Sequence, residues 1–352
     1  MIPIFIVSNR RYAGKTLLAI GLGLKLMERG HSVGYIKPIG KTPVKEGLEV
    51  YDADALFIRE ALSLTDPLDL VSPVVLSYEM QNQLYEGKPN NIKKTVLDAF
   101  NALRDKDYII VGGSGDLLEG AAFDCDALTL IEELDGRALM VEAWRGDLSM
   151  DTFLGGMKLF GRRFAGGVIN KAPGTMLQHV KEKARPFLEK RGAKIFGVFP
   201  RDSMLESITV RQLIEILHGR VLCCEDRLDE FVERFSIGAM DVDNALAHFR
   251  RIPNKAVITG AHRADIQLVA METSTKCIIL TGGLSTNDVV LGRAVAKGIP
   301  IISVPEDTFT TIDRIEGIMG KTRIREQGKI ERAREIITNE FAMERFLEAL
   351  KV

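Results

Sequence analysis

Gly14, Lys15 and Thr16 have the types and order needed to hold a phosphate chain. Backbone N–H groups of a glycine turn, and the N-terminus of a helix that follows it, point at anionic oxygens. In that arrangement Lys15 reaches the β- and γ-phosphates and the Thr16 hydroxyl ligates Mg²⁺. The full phosphate-loop pattern carries a further glycine five residues before Gly14, where this chain has Asn9, preceded by Ser8. Asn tolerates positive φ better than most side chains, so the loop remains open to this sequence. The plainer reading is a strand-to-helix turn in which Gly14-Lys15-Thr16 only caps the helix. Arg10 and Arg11 face a polyphosphate in the first reading and water in the second.

Other residues could join this chemistry. Lys37 follows an apolar run and precedes Pro38, which makes it either a crevice lysine or a surface lysine at a turn. Asp52 and Asp54 precede a helical pattern, so one of them caps that helix, or one is a Mg²⁺ or nucleotide carboxylate. Asp54 is the preferred metal ligand. Gly112, Gly113 and Gly115 follow a strand and let backbone approach a ligand closely, or simply turn the chain. Asn170 ends a later strand, where it reads a base edge or makes a turn. In the second half Arg263 is placed to clamp an anion bidentately, or else to pair with Asp265. His262 is a loop residue there, and Thr281, Gly282 and Gly283 close another strand.

The elements that position these residues alternate in type. Ile2 to Val7 is an apolar run of strand length, and Leu17 to Met27 reads as a helix with a wide apolar face that stops at Gly30. Further strands are predicted at 33–36, 108–111, 138–141, 167–169 and 195–199, with helices between them. Strand–helix–strand alternation predicts an α/β chain with a doubly wound, mostly parallel sheet. After Pro200 the alternation restarts, with strands at 255–259, 276–280 and 300–304. The expected division is 1–205, 206–322 for a second, smaller α/β domain, and 323–352 for amphipathic C-terminal helices forming a docking or dimerisation arm.

Composition narrows the function classes. The chain has 352 residues, a net charge of −1, 46% hydrophobic and 27% charged residues. No electrostatic case for nucleic acid or anionic membrane arises. No apolar run approaches the ~20 residues that span a bilayer. The four cysteines, Cys125, Cys223, Cys224 and Cys277, form no C-x-x-C pair, so zinc and dithiol chemistry are not indicated. A cytoplasmic protein with reduced thiols is expected.

Residues 2–200 resemble the dethiobiotin-synthetase-like P-loop domain, which also stands at the front of long bacterial phosphotransacetylases. The carriers are Ala13-Gly14-Lys15-Thr16, Gly34-Tyr35-Ile36-Lys37-Pro38-Ile39-Gly40, Asp52-Ala53-Asp54-Ala55-Leu56, Asp107 to Val111, Asn170-Lys171 and Phe199-Pro200. Residues from about 215 to 320 resemble the DRTGG domain, through Glu233 to Met240, Asn254 to Gly260, His262-Arg263-Ala264-Asp265-Ile266 and Leu280-Thr281-Gly282-Gly283. The resemblance implies ATP and Mg²⁺ as cofactors. It places the nucleotide on Ala13, Gly14, Lys15, Thr16, Leu17, Asn170 and Pro200. The metal falls to Thr16 and Asp54, and any catalysis to Lys15 and Lys37. It offers Arg263, Asp265, Thr281, Gly282 and Gly283 to a small-molecule effector of the second domain. A homo-oligomer through the DRTGG-like domain or the C-terminal helices is a further implication.

Two departures bear on activity. The synthetases place a Glu, a Mg²⁺ ligand, where this chain has Gly112, and the leading glycine of their P-loop is Asn9 here. A missing carboxylate weakens neutralisation of a transferring phosphoryl group. The expected function is therefore an ATP-binding regulatory or metabolite-sensing protein with weak or no turnover. The alternatives are an ATP- and Mg-dependent ligase or carboxylase acting on a small amine or carboxylate, and a non-enzymatic scaffold with a vestigial P-loop. The transferase domain of the phosphotransacetylases is not carried over.

Overall fold

The computed structural model describes residues 1–87, 91–113, 115–146, 148–318 and 326–351. Ser114, and the boundary expected between 322 and 323, lie outside the described residues. The chain divides into two compact units, Met1–Arg201 with Arg323–Val352, and Asp202–Thr322.

The first unit is built on β1 (Ile2–Val7). After β1 the chain forms helix α1 (Lys15–Glu28), β2 (Val33–Ile36) and a hairpin of β3 (Pro43–Glu46) and β4 (Glu49–Asp52). Helix α2 (Ala53–Ala61), β5 (Tyr108–Gly112), β6 (Arg137–Ala143), β7 (Phe164–Ala172) and β8 (Ile195–Pro200) follow. Six strands form one parallel sheet in the order β2-β5-β1-β6-β7-β8. Covered on both faces, such strands must be apolar throughout, which is why Ile4, Ile6, Ile109, Ile110, Leu139 and Val141 are all fully buried. The chain leaves β1 toward one edge of the sheet and returns on its other side at β6. The loops after β1, β2 and β5 therefore meet at the carboxyl edge, where open α/β sheets bind ligands.

The wide apolar face of α1 has a structural reason. Leu18, Ile20, Leu22 and Leu26 are fully buried, and two glycines admit neighbours from different sides. A Cβ on Gly23 would lie 2.8 Å from Leu62, and one on Gly21 would lie 2.2 Å from Ile337. Ile337 belongs to the C-terminal helix Gln327–Glu340. That helix and the next, Met343–Leu350, lie against the first unit. The rings of Phe196, Phe341 and Phe346 form a cluster with centroids 5.3 to 6.0 Å apart. Ion pairs Arg334–Glu28 and Lys181–Glu340 flank them at 2.6 and 2.7 Å. The C-terminal segment, read from sequence as an arm of its own, thus spends its apolar stripe on α1 and β8.

The second unit carries strands β9 (Ile208–Thr209), β10 (Arg220–Cys223), β11 (Phe231–Val232), β12 (Arg234–Ile237), β13 (Lys255–Gly260), β14 (Thr275–Thr281) and β15 (Ile301–Ser303). Five of them form a sheet ordered β10-β15-β14-β13-β12, parallel except for β10 at one edge. The short strands β9 and β11 pair separately.

Candidate functional site

The loop between β1 and α1 is held in a conformation that requires a glycine at position 14. Gly14 sits at φ 112°, in the left-handed region, and a Cβ there would stand 2.1 Å from the Asn170 amide nitrogen. Asn170 is buried. Its Nδ2 donates to the Ala13 carbonyl at 2.8 Å, and its Oδ1 accepts from the Lys171 N–H at 2.8 Å. The side chain placed by sequence near a base edge therefore fastens the loop to the end of β7. Pro200 stands beside it in register, since Ala172 pairs with Pro200. Helix α1 begins without a side-chain cap and without an acidic residue in its first turn. Its first N–H groups, with the positive end of the helix dipole, are left to solvent or an anion.

Lys15 folds back across this loop. Its Nζ donates to Ser8 Oγ at 2.8 Å, to the Arg10 carbonyl at 3.4 Å and to the Gly115 carbonyl. Burial pushes its ammonium down to about 8, against the opposing pull of Glu119. Ala13 and Leu17 are buried beneath the loop, and Thr16 is half-buried. On the outer side Asn9 and Arg10 line a cleft of about 310 Å³ with Arg145, Asp151 and Thr152.

Lys37 is not a surface lysine. Its side chain is buried, with Nζ 2.7 Å from Asp52 Oδ1 and 3.2 Å from Asp54 Oδ2. The two aspartates differ in their work. Asp52 caps α2, accepting from the Asp54 and Ala55 N–H groups, and also ties down the Lys41 and Thr42 N–H groups at 2.8 and 2.9 Å. Burial raises its carboxyl, but Lys37 and these N–H groups outweigh burial and hold it below the usual range. Asp54, in the first turn of α2 and partly exposed, keeps an oxygen toward Lys37.

The loop after β5 contains residues that sequence reasoning missed. A Cβ on Gly112 would lie 2.1 Å from the Tyr35 hydroxyl, and Tyr35 is only 1% exposed. The tyrosine fills the space that a side chain at position 112 would need. Seven residues on, Glu119 turns back into the site. Its Oε1 accepts from Arg11 Nη2 at 3.0 Å and from Lys41 Nζ. The loops after β1, β2 and β5 are thus joined through one carboxylate. The available signal was a glutamate flanked by glycines at 113, 115 and 120, in the loop already marked as ligand-facing. Asp116 is exposed and closes a local turn, accepting from the Leu118 N–H at 3.0 Å.

In the second unit the singled-out residues are engaged with one another. Arg263 meets Asp265 through Nε at 3.0 Å and Nη2 at 2.9 Å, and also donates to the Met240 carbonyl. The hydroxyls of Thr281 and Thr308 lie 2.8 Å apart. Gly282 and Gly283 both adopt positive φ and donate to the Glu306 and Val304 carbonyls at 2.8 Å. His262 lies over Gly260, where a Cβ would come within 2.7 Å of its ring.

Comparison with known proteins identifies the domains. An AAA domain model matches residues 3–209 and a DRTGG domain model matches residues 212–318. Phosphate acetyltransferase from Synechocystis sp. is 24% identical over 372 residues, covering 99% of this chain and 52% of the relative. The corresponding enzyme of Nitratidesulfovibrio vulgaris is 24% identical over 344 residues, covering 90% of this chain and 47% of its own. The chain thus spans about half the length of these curated relatives. ATP-dependent dethiobiotin synthetase BioD from Methanocaldococcus jannaschii is 31% identical over 119 residues, 32% of this chain and 52% of that one. Among solved structures, the CBS and DRTGG domains of the regulatory region of Clostridium perfringens pyrophosphatase, complexed with the activator diadenosine tetraphosphate, match at 23% identity. The match has a TM-score of 0.30 and covers 34% of this chain and 52% of that one. Among the described residues no helix is long and apolar enough to cross a membrane.

Proposed function

The chain belongs to the AAA domain family, here a dethiobiotin-synthetase-like P-loop domain followed by a DRTGG domain, and from that premise we propose that it is an ATP-binding regulatory protein with weak or no turnover. In this reading the first unit takes the nucleotide and the second takes a small-molecule effector. The observation that carries it is the uncapped N-terminus of α1 under a left-handed Gly14, with Lys15 folded back onto carbonyls. Phosphate oxygens arriving at that helix end offer Lys15 an anionic partner in place of the Arg10 and Gly115 carbonyls.

Mg²⁺ fits this site as a shared ligand. Among the described residues no group of three or more His, Cys, Asp or Glu could hold a metal alone. Mg²⁺ characteristically takes one or two carboxylates with phosphate oxygens and water, which suits Thr16 and Asp54. When bound, it would neutralise charge on the phosphate chain. The filled space at Gly112 keeps a carboxylate from the position where the synthetases place theirs, and phosphoryl transfer depends mostly on positioning and electrostatics.

A second reading, an ATP-dependent ligase, draws on the buried Lys37 between two aspartates and on the dethiobiotin synthetase relatives. One experiment separates the two. ATP with Mg²⁺ is titrated into the protein by calorimetry, with Lys15→Ala as control, and phosphate release is assayed on the same sample. Binding that is lost at least 100-fold in Lys15→Ala, without release, is the expected result. Release stimulated by a small amine or carboxylate selects the ligase, and equal affinity in Lys15→Ala removes both readings.

A further inference from the structure

We propose that Glu119 supplies the phosphate site with the carboxylate that position 112 lacks, facing the Mg²⁺ of a bound nucleotide, and that Arg11 and Lys41 hold it until the nucleotide arrives. The inference rests on the nucleotide-binding reading above.

Position 112 is closed to any side chain by the Tyr35 hydroxyl, so the carboxylate must come from elsewhere in the same loop. Asp116 is exposed and occupied by its own turn. Glu119 has what Asp116 lacks. Its side chain is only 8% exposed, yet Oε2 is buried without a hydrogen-bond partner among the described residues. A buried carboxylate oxygen left unpaired is costly, so its retention needs a reason outside the folded core.

The free oxygen is also in the right place. A Cβ on Gly115 would lie 2.3 Å from Glu119 Oε2, and Gly115 is the residue whose carbonyl receives Lys15. Only a glycine lets the carboxylate come so near the P-loop lysine. Glu119 and Asp116 are the carboxylates at the rim of a small, mostly apolar cavity of about 30 Å³, lined also by Phe5, Ile39 and Leu130, at the carboxyl ends of β1 and β5.

The charges around Glu119 suit an exchange. Arg11 and Lys41 both sit on Oε1, and Lys15 feels the same carboxylate. A polyphosphate draws these cations to itself. Glu119, left among phosphate oxygens of like sign, then favours a divalent cation between them. Without Mg²⁺ the same carboxylate repels the nucleotide.

The test compares ATP affinity with and without Mg²⁺, by calorimetry on the full chain, for wild type, Glu119→Gln and Asp116→Asn. Expected is an enhancement by Mg²⁺ in wild type that falls tenfold or more in Glu119→Gln, while Mg²⁺-free ATP binds as well or better. Asp116→Asn keeps the enhancement. An unchanged Mg²⁺ enhancement in Glu119→Gln, or its loss in Asp116→Asn instead, overturns the role of Glu119 and leaves the nucleotide reading standing. No ATP binding by wild type overturns both. If Glu119→Gln does not melt like wild type, Arg11→Gln with Lys41→Gln is read instead. Freeing the carboxylate of its cations must then raise the enhancement, and no rise overturns the proposal.

Discussion

The two units end their strands in similar residues and use them in opposite ways. At the carboxyl edge of the first, α1 begins at a glycine with no side-chain cap, and its lysine is borrowed by backbone carbonyls. At the edge of the second, Asn287 caps the helix Asp288–Lys297 through the Val290 N–H, Thr281 meets Thr308, and Gly282 and Gly283 find carbonyls. One edge leaves donors without strong partners, and the other satisfies its own. Glycines after a strand are therefore ambiguous in sequence. What distinguishes a phosphate loop is the absence of competing caps around it.

The largest expected effect tests that difference directly. Gly14→Ala places a methyl group against Asn170 Nδ2 and a side chain at φ 112°. Backbone strain of this kind costs about 1–3 kcal/mol, and the displaced loop should lose ATP binding at least 100-fold. Gly282→Ala shares the positive φ of 88° but meets nothing within 4 Å, so it should cost strain alone. Thermal melting with and without ATP and Mg²⁺ checks both. A Gly282→Ala protein that melts lower than Gly14→Ala would break the comparison.

Much of this was legible in sequence because the relevant signals are local. Apolar runs gave the parallel sheet, and Gly14-Lys15-Thr16 gave the loop. With Asp54 preferred for the metal, the cap fell to Asp52, and the Asp54 and Ala55 N–H groups are on Asp52. What sequence could not show is set by contacts between distant segments. Tyr35 against Gly112 and Glu119 against Arg11 and Lys41 join residues 77 to 108 positions apart. The C-terminal helices carry an amphipathic pattern that suits a partner equally well. The fit of Ile337 against Gly21, with Arg334 on Glu28, shows that α1 of the same chain takes that face.

A smaller effect follows from two buried lysines. Burial lowers both Lys15 and Lys255 to about 8 from 10.5. Lys255 donates to Thr273 Oγ1 at 2.8 Å and to the Ser274 carbonyl. Below pH 8 both lysines are charged, folded or unfolded. Between about 8 and 10.5 the unfolded chain binds more protons, so stability rises with pH across that window. Melting from pH 7.5 to 9.5 should show the rise, reduced in Lys15→Met and in Lys255→Met. In the nucleotide-binding reading it is Lys15 that meets the phosphates, while Lys255 is held by Thr273 and Ser274. A phosphate partner raises Lys15 again, so ATP affinity should fall by up to about tenfold per pH unit above 8. Lys255→Met leaves that slope intact. A slope that vanishes with Lys255→Met instead would assign the titration to the wrong unit.

The smallest effect sharpens the comparison at the second edge. Arg263 and Asp265 form a bidentate pair with the carboxylate side chain 46% exposed, and exposed pairs of this kind contribute little to stability. A clamp already closed on its own carboxylate must open before it can take a ligand. Asp265→Asn removes the competing charge while leaving Arg263 tied to the Met240 carbonyl. The melting temperature should then stay close to that of the wild type. Affinity for inorganic triphosphate, measured in a Lys15→Ala background so that the first site is silent, should rise a few-fold. A decrease would make Asp265 part of the ligand's own recognition. No change would leave Arg263 a local brace, and the second edge would then be self-satisfied in function as well as in geometry.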